Sequence, residues 1–319
     1  MSTPAPPRPH RRAATQLLVG LLPLVAVGVV LCVILAVRLS LAGEPLQAAT
    51  ATAVATVVAD GQAPGGRGVS VTLPDAEGNR RTGVLVLPAH QPVDQGVQVT
   101  VYYDPTSSVD RTAVHVAGDA ANRAVQDLLF GLVVTVLVVV VAAAVTGLRV
   151  LGRRRLRRAP PAEAVATRVV VRHGLVVRSW LELGTGRGER WLPVYWSPEL
   201  AALEPDARIE VRGDVGGRTV LPVIDGAEVW PSGRLRPRPP RGERQVVVPA
   251  DLPDEPPSWS RQVRSDVLIT LAAPVLGLLW AFVDGSGAAG FAVATVLGAA
   301  VLFWLAELLG SDPSPPPRA

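Results

Sequence analysis

Apolar positions gather into four long runs, at residues 16–37, 128–148, 267–283 and 288–309, and elsewhere alternate with polar ones in short segments. Each run is near the roughly 20 residues that cross about 30 Å of hydrocarbon as a helix, and a helix satisfies its own backbone hydrogen bonds in lipid. The pattern predicts four transmembrane helices. Between the first two, the valine-rich segments 55–59, 69–73, 83–87, 97–103 and 113–116 are divided by turn-forming stretches such as Asp60-Gly61 and 104–108. Short alternating runs with such punctuation predict about five antiparallel strands, closing a compact barrel or sandwich within 43–125.

The segment 160–232 has the same texture. Ala55-Thr56-Val57-Val58 before Gly61 is echoed by Ala166-Thr167-Arg168-Val169 before Gly174, 97–101 by 207–211, and the stretch from Arg111 to Gly118 by that from Arg218 to Gly226. An ordered match of strands and turns suggests two related β modules. The expected fold class is therefore an α+β membrane protein, with four transmembrane helices and two small antiparallel β barrel or sandwich modules. A Pro/Arg-rich stretch, 233–264, is expected to be an extended linker carrying Pro237, Pro239, Pro240, Pro249, Pro253, Pro256 and Pro257, and 310–319 a disordered tail.

Charge orients this plan. Arg8, Arg11 and Arg12 precede the first run, Arg149 and the cluster Arg153, Arg154, Arg155, Arg157 and Arg158 follow the second, and Arg261 and Arg264 precede the third. The positive-inside rule puts those ends in the cytoplasm. Residues 1–15, both termini and the 160–232 module are then cytoplasmic, 43–125 is extracytoplasmic, and the protein is a multi-pass component of a bacterial cell membrane. The first run exceeds the 7–15 apolar residues of a secretory signal, which favours an uncleaved anchor.

The strand 97–103 ends in Val99-Thr100-Val101-Tyr102-Tyr103-Asp104-Pro105. Helix, small β domain and helix over residues 16–150 resemble bacterial membrane families of unknown function whose β domain ends in V-x-V-x-Y-D-P. The resemblance implies that architecture and brings no catalytic residue with it.

Composition removes several chemistries. The 319 residues are 49% hydrophobic with pI about 10.1, and all 31 basic residues are arginine. The absence of lysine points to a high-GC genome and excludes mechanisms built on a catalytic or phosphate-binding lysine. Cys32 stands alone, so no intrachain disulfide or multi-cysteine metal site exists. The glycine-rich 184–188 stretch, including Arg187, lies between two strand-like segments and reads as a hairpin turn rather than a phosphate loop. His10, His90, His115 and His173 lack metal-ligand spacing, and no G-x-S-x-G elbow is present. No catalytic residue, cofactor or metal is expected.

The remaining candidates concern packing and surfaces. Ala273, Gly277 and Ala281 on one run, and Gly290, Ala294 and Gly298 on the next, form small-residue stripes that let helices approach closely. The 153–158 arginine cluster is expected to face lipid and hold anionic head groups, with membrane or cytoplasmic proteins as further partners and no nucleic acid. All seven tryptophans lie beyond residue 179. Trp180, Trp191, Trp196 and Trp230 are expected in a core, and Trp259, Trp280 and Trp304 near bilayer faces. Glu307, the lone carboxylate inside an apolar run, reads as snorkelling to the interface. Together these features suggest a non-enzymatic envelope scaffold or signalling component. A small transporter subunit or transport accessory is the alternative, and a membrane-bound hydrolase a third reading.

Overall fold

The computed structural model describes residues 7–62, 64–107, 112–174, 176–186, 188–249 and 257–314. Arg111 of the repeat comparison, Arg187 of the glycine-rich turn, Pro253 and Pro256 of the linker, and the tail from 315 lie outside them.

Four helical spans are long and apolar enough to cross a membrane. They are α1 (Arg11–Ala48), α2 (Ala120–Leu156), a third comprising α4 (Trp259–Val267), a 3-10 stretch (Leu268–Ala272) and α5 (Ala273–Asp284), and α6 (Gly287–Leu309). At 38 residues α1 is about 57 Å long, well beyond a bilayer core. α2 overruns its apolar segment as well. It starts where Asp119 caps it, the carboxylate accepting from the Asn122 amide (2.8 Å) and the carbonyl from the Arg123 amide (3.0 Å).

The chain divides into two compact units. The unit Val29–Leu137 contains β1 (Ala51–Ala59), β2 (Gly68–Pro74), β3 (Arg80–Val86), β4 (Gln98–Tyr103) and β5 (Thr112–His115), closed into a barrel in the order β1-β2-β3-β5-β4. All five expected strands form. Ala55, Val57, Val69, Val71, Leu73, Leu85, Val101, Tyr103 and Val114 fill the interior, as period-two alternation requires. One pairing departs from the expectation of an all-antiparallel module, because β3 and β5 run parallel. That seam needs Gly83, where a Cβ would lie 3.0 Å from the Thr112 carbonyl oxygen. A small closed five-stranded barrel by itself fixes no function. The Asp104-Pro105 end of β4 is a turn in which the Asp104 carboxylate accepts from the Thr106 amide (2.8 Å) and hydroxyl (2.7 Å).

The other unit, residues 1–28 and 138–319, contains α4 to α6 and a seven-stranded sheet. Its strands are β6 (Pro161–His173), β7 (Val176–Thr185), β8 (Gly188–Val194), β9 (Ala207–Arg212), β10 (Leu221–Ile224), β11 (Ala227–Glu228) and β12 (Glu243–Val246), with a short helix α3 (Pro198–Ala201) before β9. The order is β11-β10-β9-β6-β7-β8, with β12 also on β6, and every pairing is antiparallel. Thr185 pairs with Gly188, so the glycine-rich stretch is indeed a hairpin turn.

This sheet is not the second barrel that the repeat suggested. The pairings β1·β2, β2·β3, β1·β4 and β4·β5 recur as β6·β7, β7·β8, β6·β9 and β9·β10, but the closing β3·β5 pair has no counterpart. The free side of β8 is taken instead by residues 230–236, with the Tyr195 amide donating to Trp230 O (2.9 Å) and the Trp191 amide to Arg236 O (2.8 Å). Residues 233–249 of the expected linker are therefore not an open chain. Arg236 lies over the Trp180 ring and Arg244 over Trp191, which gives the Pro/Arg-rich chain a surface to bind, and 243–246 adds a strand to β6. One core, with Leu181, Leu183, Leu192 and Val211 among its members, fills one side, and a second cluster joins Ala13, Leu17, Tyr195, Leu221, Trp230 and Leu308 of α1, α6 and the sheet.

Candidate functional site

The densest polar structure lies where the ends of α1, α2, α4 and α6 meet this sheet. α6 ends at Leu309 because Gly310 takes the left-handed conformation (φ 75°). Its last carbonyls need donors, and Leu308 O accepts from the Tyr195 hydroxyl (2.7 Å) and the Arg149 guanidinium. Burial raises the Tyr195 pKa, which keeps that donor protonated.

Beyond the helix, Asp312 is drawn into the sheet. Its amide donates to Val177 O (2.8 Å), and its carboxylate accepts from Arg168 (2.9 Å) and Ser179. Both charged side chains are fully buried. Burial alone would raise the Asp312 pKa, but Arg168 and the hydrogen bonds more than offset it and hold the group below the usual range. Residues 310–314 are thus packed and not part of a disordered tail. A fully desolvated pair tolerates no chain fraying, since either charge alone would be stranded.

Arginine and tryptophan interleave at the neighbouring helix ends. Arg12 sits over the rings of Trp196 (4.2 Å) and Trp259 (4.8 Å) and donates to Pro257 O (2.8 Å). Arg153 lies over Tyr195 (5.5 Å) and Trp230 (5.4 Å) and donates to Pro231 O. Arg157 pairs with buried Glu228, which also accepts from Trp230 Nε1 (3.0 Å). His10 Nδ1 accepts from the Trp230 amide (2.9 Å). Burial first, and then the positive charges of Arg153 and Arg12, lower its pKa to about 4, so it is neutral there.

A carboxylate pair completes the region. Glu307 of α6 and Asp266 of α4 are buried within hydrogen-bonding reach of one another. Gln262 Nε2 donates to Glu307 (3.1 Å), Ser311 Oγ to Asp266 (2.6 Å), and Gln16 Nε2 to Ser311 Oγ (3.4 Å). Gly20 of α1 makes room, since a Cβ there would come within 2.7 Å of Glu307 Cβ. Glu307 therefore does not snorkel. It points into protein because the Gln262 amide of α4 donates to it and Gly20 of α1 leaves it room, neither of which the run alone reveals.

The expected lipid-facing cluster splits accordingly. Arg154, Arg155 and Arg158 are exposed, whereas Arg153 is buried and Arg157 is turned onto Glu228. Aromatic faces and a buried acid on the sheet outcompete lipid for those two. In the small-residue stripes, Ala273 and Gly277 are buried, and a Cβ on Gly277 would collide with Thr295 of α6. A Cβ on Gly298 would meet Ala273 Cβ at 3.9 Å, while Ala281 and Ala294 are half-buried and Gly290 packs on Ser286. Trp180, Trp191, Trp196 and Trp230 are all buried; Trp280 is exposed, and Trp304 Nε1 donates to Thr146 (3.1 Å).

None of these polar side chains lines either of two grooves, one on α4 and one on the barrel wall. Among the described residues no three of His, Cys, Asp and Glu are grouped to hold a metal ion. The His115 ring bonds the Asp119 carboxylate (2.8 Å) beside the start of α2, and His90 bonds Gly66 O (2.6 Å). Two grooves are open and shallow, one of about 450 Å³ at Ser258, Arg261 and Arg264 on α4, and one of about 510 Å³ on the barrel wall at Val54, Thr72 and Arg80. No protein-family model, curated protein or solved structure matches this chain.

Sequence reasoning missed Arg168, Ser179, Asp312, Asp266, Gln16 and Gln262. The last three carried a weak signal, because each is an uncharged or lone acidic residue at or near the edge of an apolar run.

Proposed function

We propose that the protein is a multi-pass membrane scaffold or signalling component, with the sheet module on the cytoplasmic face, the barrel on the opposite face and both termini in the cytoplasm. The observation that carries the reading is the anchoring of α6 into the sheet, through Leu308 O on Tyr195 and Arg149 and through the buried Arg168–Asp312 pair. Such anchoring suits a part that transmits or resists displacement between a membrane helix and a soluble module. It is a poor design for a site that must open to substrate. The side assignment draws on arginine placement, supported by the N-terminal residues, since Arg8 O accepts from the Glu228 amide (2.9 Å) on the same sheet. The exposed Arg154, Arg155 and Arg158 remain suited to anionic lipid head groups.

The reading predicts that Asp312→Ala frees the sheet module from the helix end while the four helices stay inserted. Limited proteolysis of membranes should then cut the 233–257 region much faster than in the wild type, with the barrel equally protected in both. Equal cleavage would contradict the role assigned to this anchor. The transport alternative draws on one observation, the buried Glu307 and Asp266, and requires solute flux in proteoliposomes that depends on them.

A further inference from the structure

We propose that Glu307, Asp266, Gln262 and Ser311 form a binding site for a hard divalent cation of the Ca²⁺ or Mg²⁺ class, between α4 and the end of α6. The argument begins with charge. Two buried carboxyl groups adjoin, and among the described residues no arginine or histidine forms an ion pair with either. Of the charged neighbours, Arg12 donates through one terminal nitrogen to Pro257 O and lies over two indole faces, and Asp312 pairs with Arg168. α1 contributes only the neutral Gln16 and Gly20.

The hydrogen-bond inventory points the same way. Within this cluster, the buried side-chain atoms without a hydrogen-bond partner are Glu307 Oε1 and Gln262 Oε1, both acceptors, and the Gln262 side chain already lies on Glu307. A proton shared between the carboxyl groups would serve one deficit and leave the amide oxygen unserved. A cation serves both. Only two donors are carboxylates; the others are amide and hydroxyl oxygens, which hard cations accept and which a search for His, Cys, Asp and Glu passes over. The negative C-terminal end of the α6 dipole adds to the attraction. The site lies within one compact unit and does not depend on membrane orientation.

The test uses the full chain in detergent after EDTA treatment. Titration with CaCl₂ or MgCl₂, against choline chloride at equal ionic strength, should show one saturable site by calorimetry and raise the unfolding midpoint by several degrees. Glu307→Gln with Asp266→Asn should abolish both, and should unfold at a higher midpoint than the stripped wild type, because the uncompensated charge is gone. Gln262→Ala keeps the charge and removes the sealed amide oxygen, so it should weaken binding at least tenfold without loss of fold. No saturable binding to folded wild type overturns the proposal, as does a metal response retained in the double variant. A response to pH alone would identify a shared proton in place of a metal ion.

Discussion

Arg168 and Asp312 lose all contact with water together, and each cancels a desolvation cost that the other could not bear alone. Asp312→Ala should therefore destabilise the sheet unit by about 3–5 kcal/mol, and pairing it with Arg168→Met should recover most of that loss. Chemical denaturation followed by tryptophan fluorescence would report both, since all seven tryptophans lie in this unit. His10 supplies a pH dependence with a definite sign. Its folded pKa, about 4, is below the unfolded 6.5, so the unfolded chain binds more protons between those values. Its contribution is complete above pH 6.5 and is lost as pH falls toward 4, by roughly 3 kcal/mol in all. In His10→Gln the stability slope across pH 4–6.5 should flatten, and an unchanged slope would show that another group sets it. These residues were nearly invisible in the sequence. Arg168 lies in a strand-like valine run and Asp312 in a polar, proline-rich tail, and nothing in their spacing joins positions 144 residues apart.

Elements were more legible, because hydrophobic period is a local property. The four apolar runs and the five barrel strands follow from helix length and period-two alternation. The parallel β3·β5 seam does not, since parallel pairing depends on the path of the whole chain. Gly83→Val should break that seam, lowering barrel stability while α1 and α2 remain helical; hydrogen exchange at 83–85 and 112–114 would show the loss. The strand at 243–246 was hidden for a different reason. Its polar residues and the prolines around it signal an open linker, yet pairing with β6 and the Arg244 guanidinium over Trp191 hold it down, as Arg236 over Trp180 holds the chain before it. The α5/α6 hairpin can be tested directly. In a Cys32→Ser background, Ala273→Cys with Gly298→Cys should form a disulfide, because the Cβ separation of 3.9 Å suits one. Adding Gly277→Leu should prevent it by pushing α5 off Thr295.

At the scale of the whole molecule, related strand orders serve two different ends. One unit closes into a self-contained barrel; in the other, the corresponding sheet stays open, and its edge, its tryptophans and its buried charges receive the helix ends. Repeated strand-and-turn texture matches the four strand pairings the two sheets share, whereas the opening arises from 230–236 taking the place of the closing strand. The functional proposal assigns these modules to opposite faces of a membrane. Its most direct test is side-specific labelling of single cysteines in a Cys32→Ser background, at the exposed positions Thr106 on the barrel and Glu204 on the sheet module. A membrane-impermeant maleimide applied to intact cells should label Thr106→Cys and leave Glu204→Cys unlabelled until the membrane is opened. Labelling of both from the same side would contradict the account.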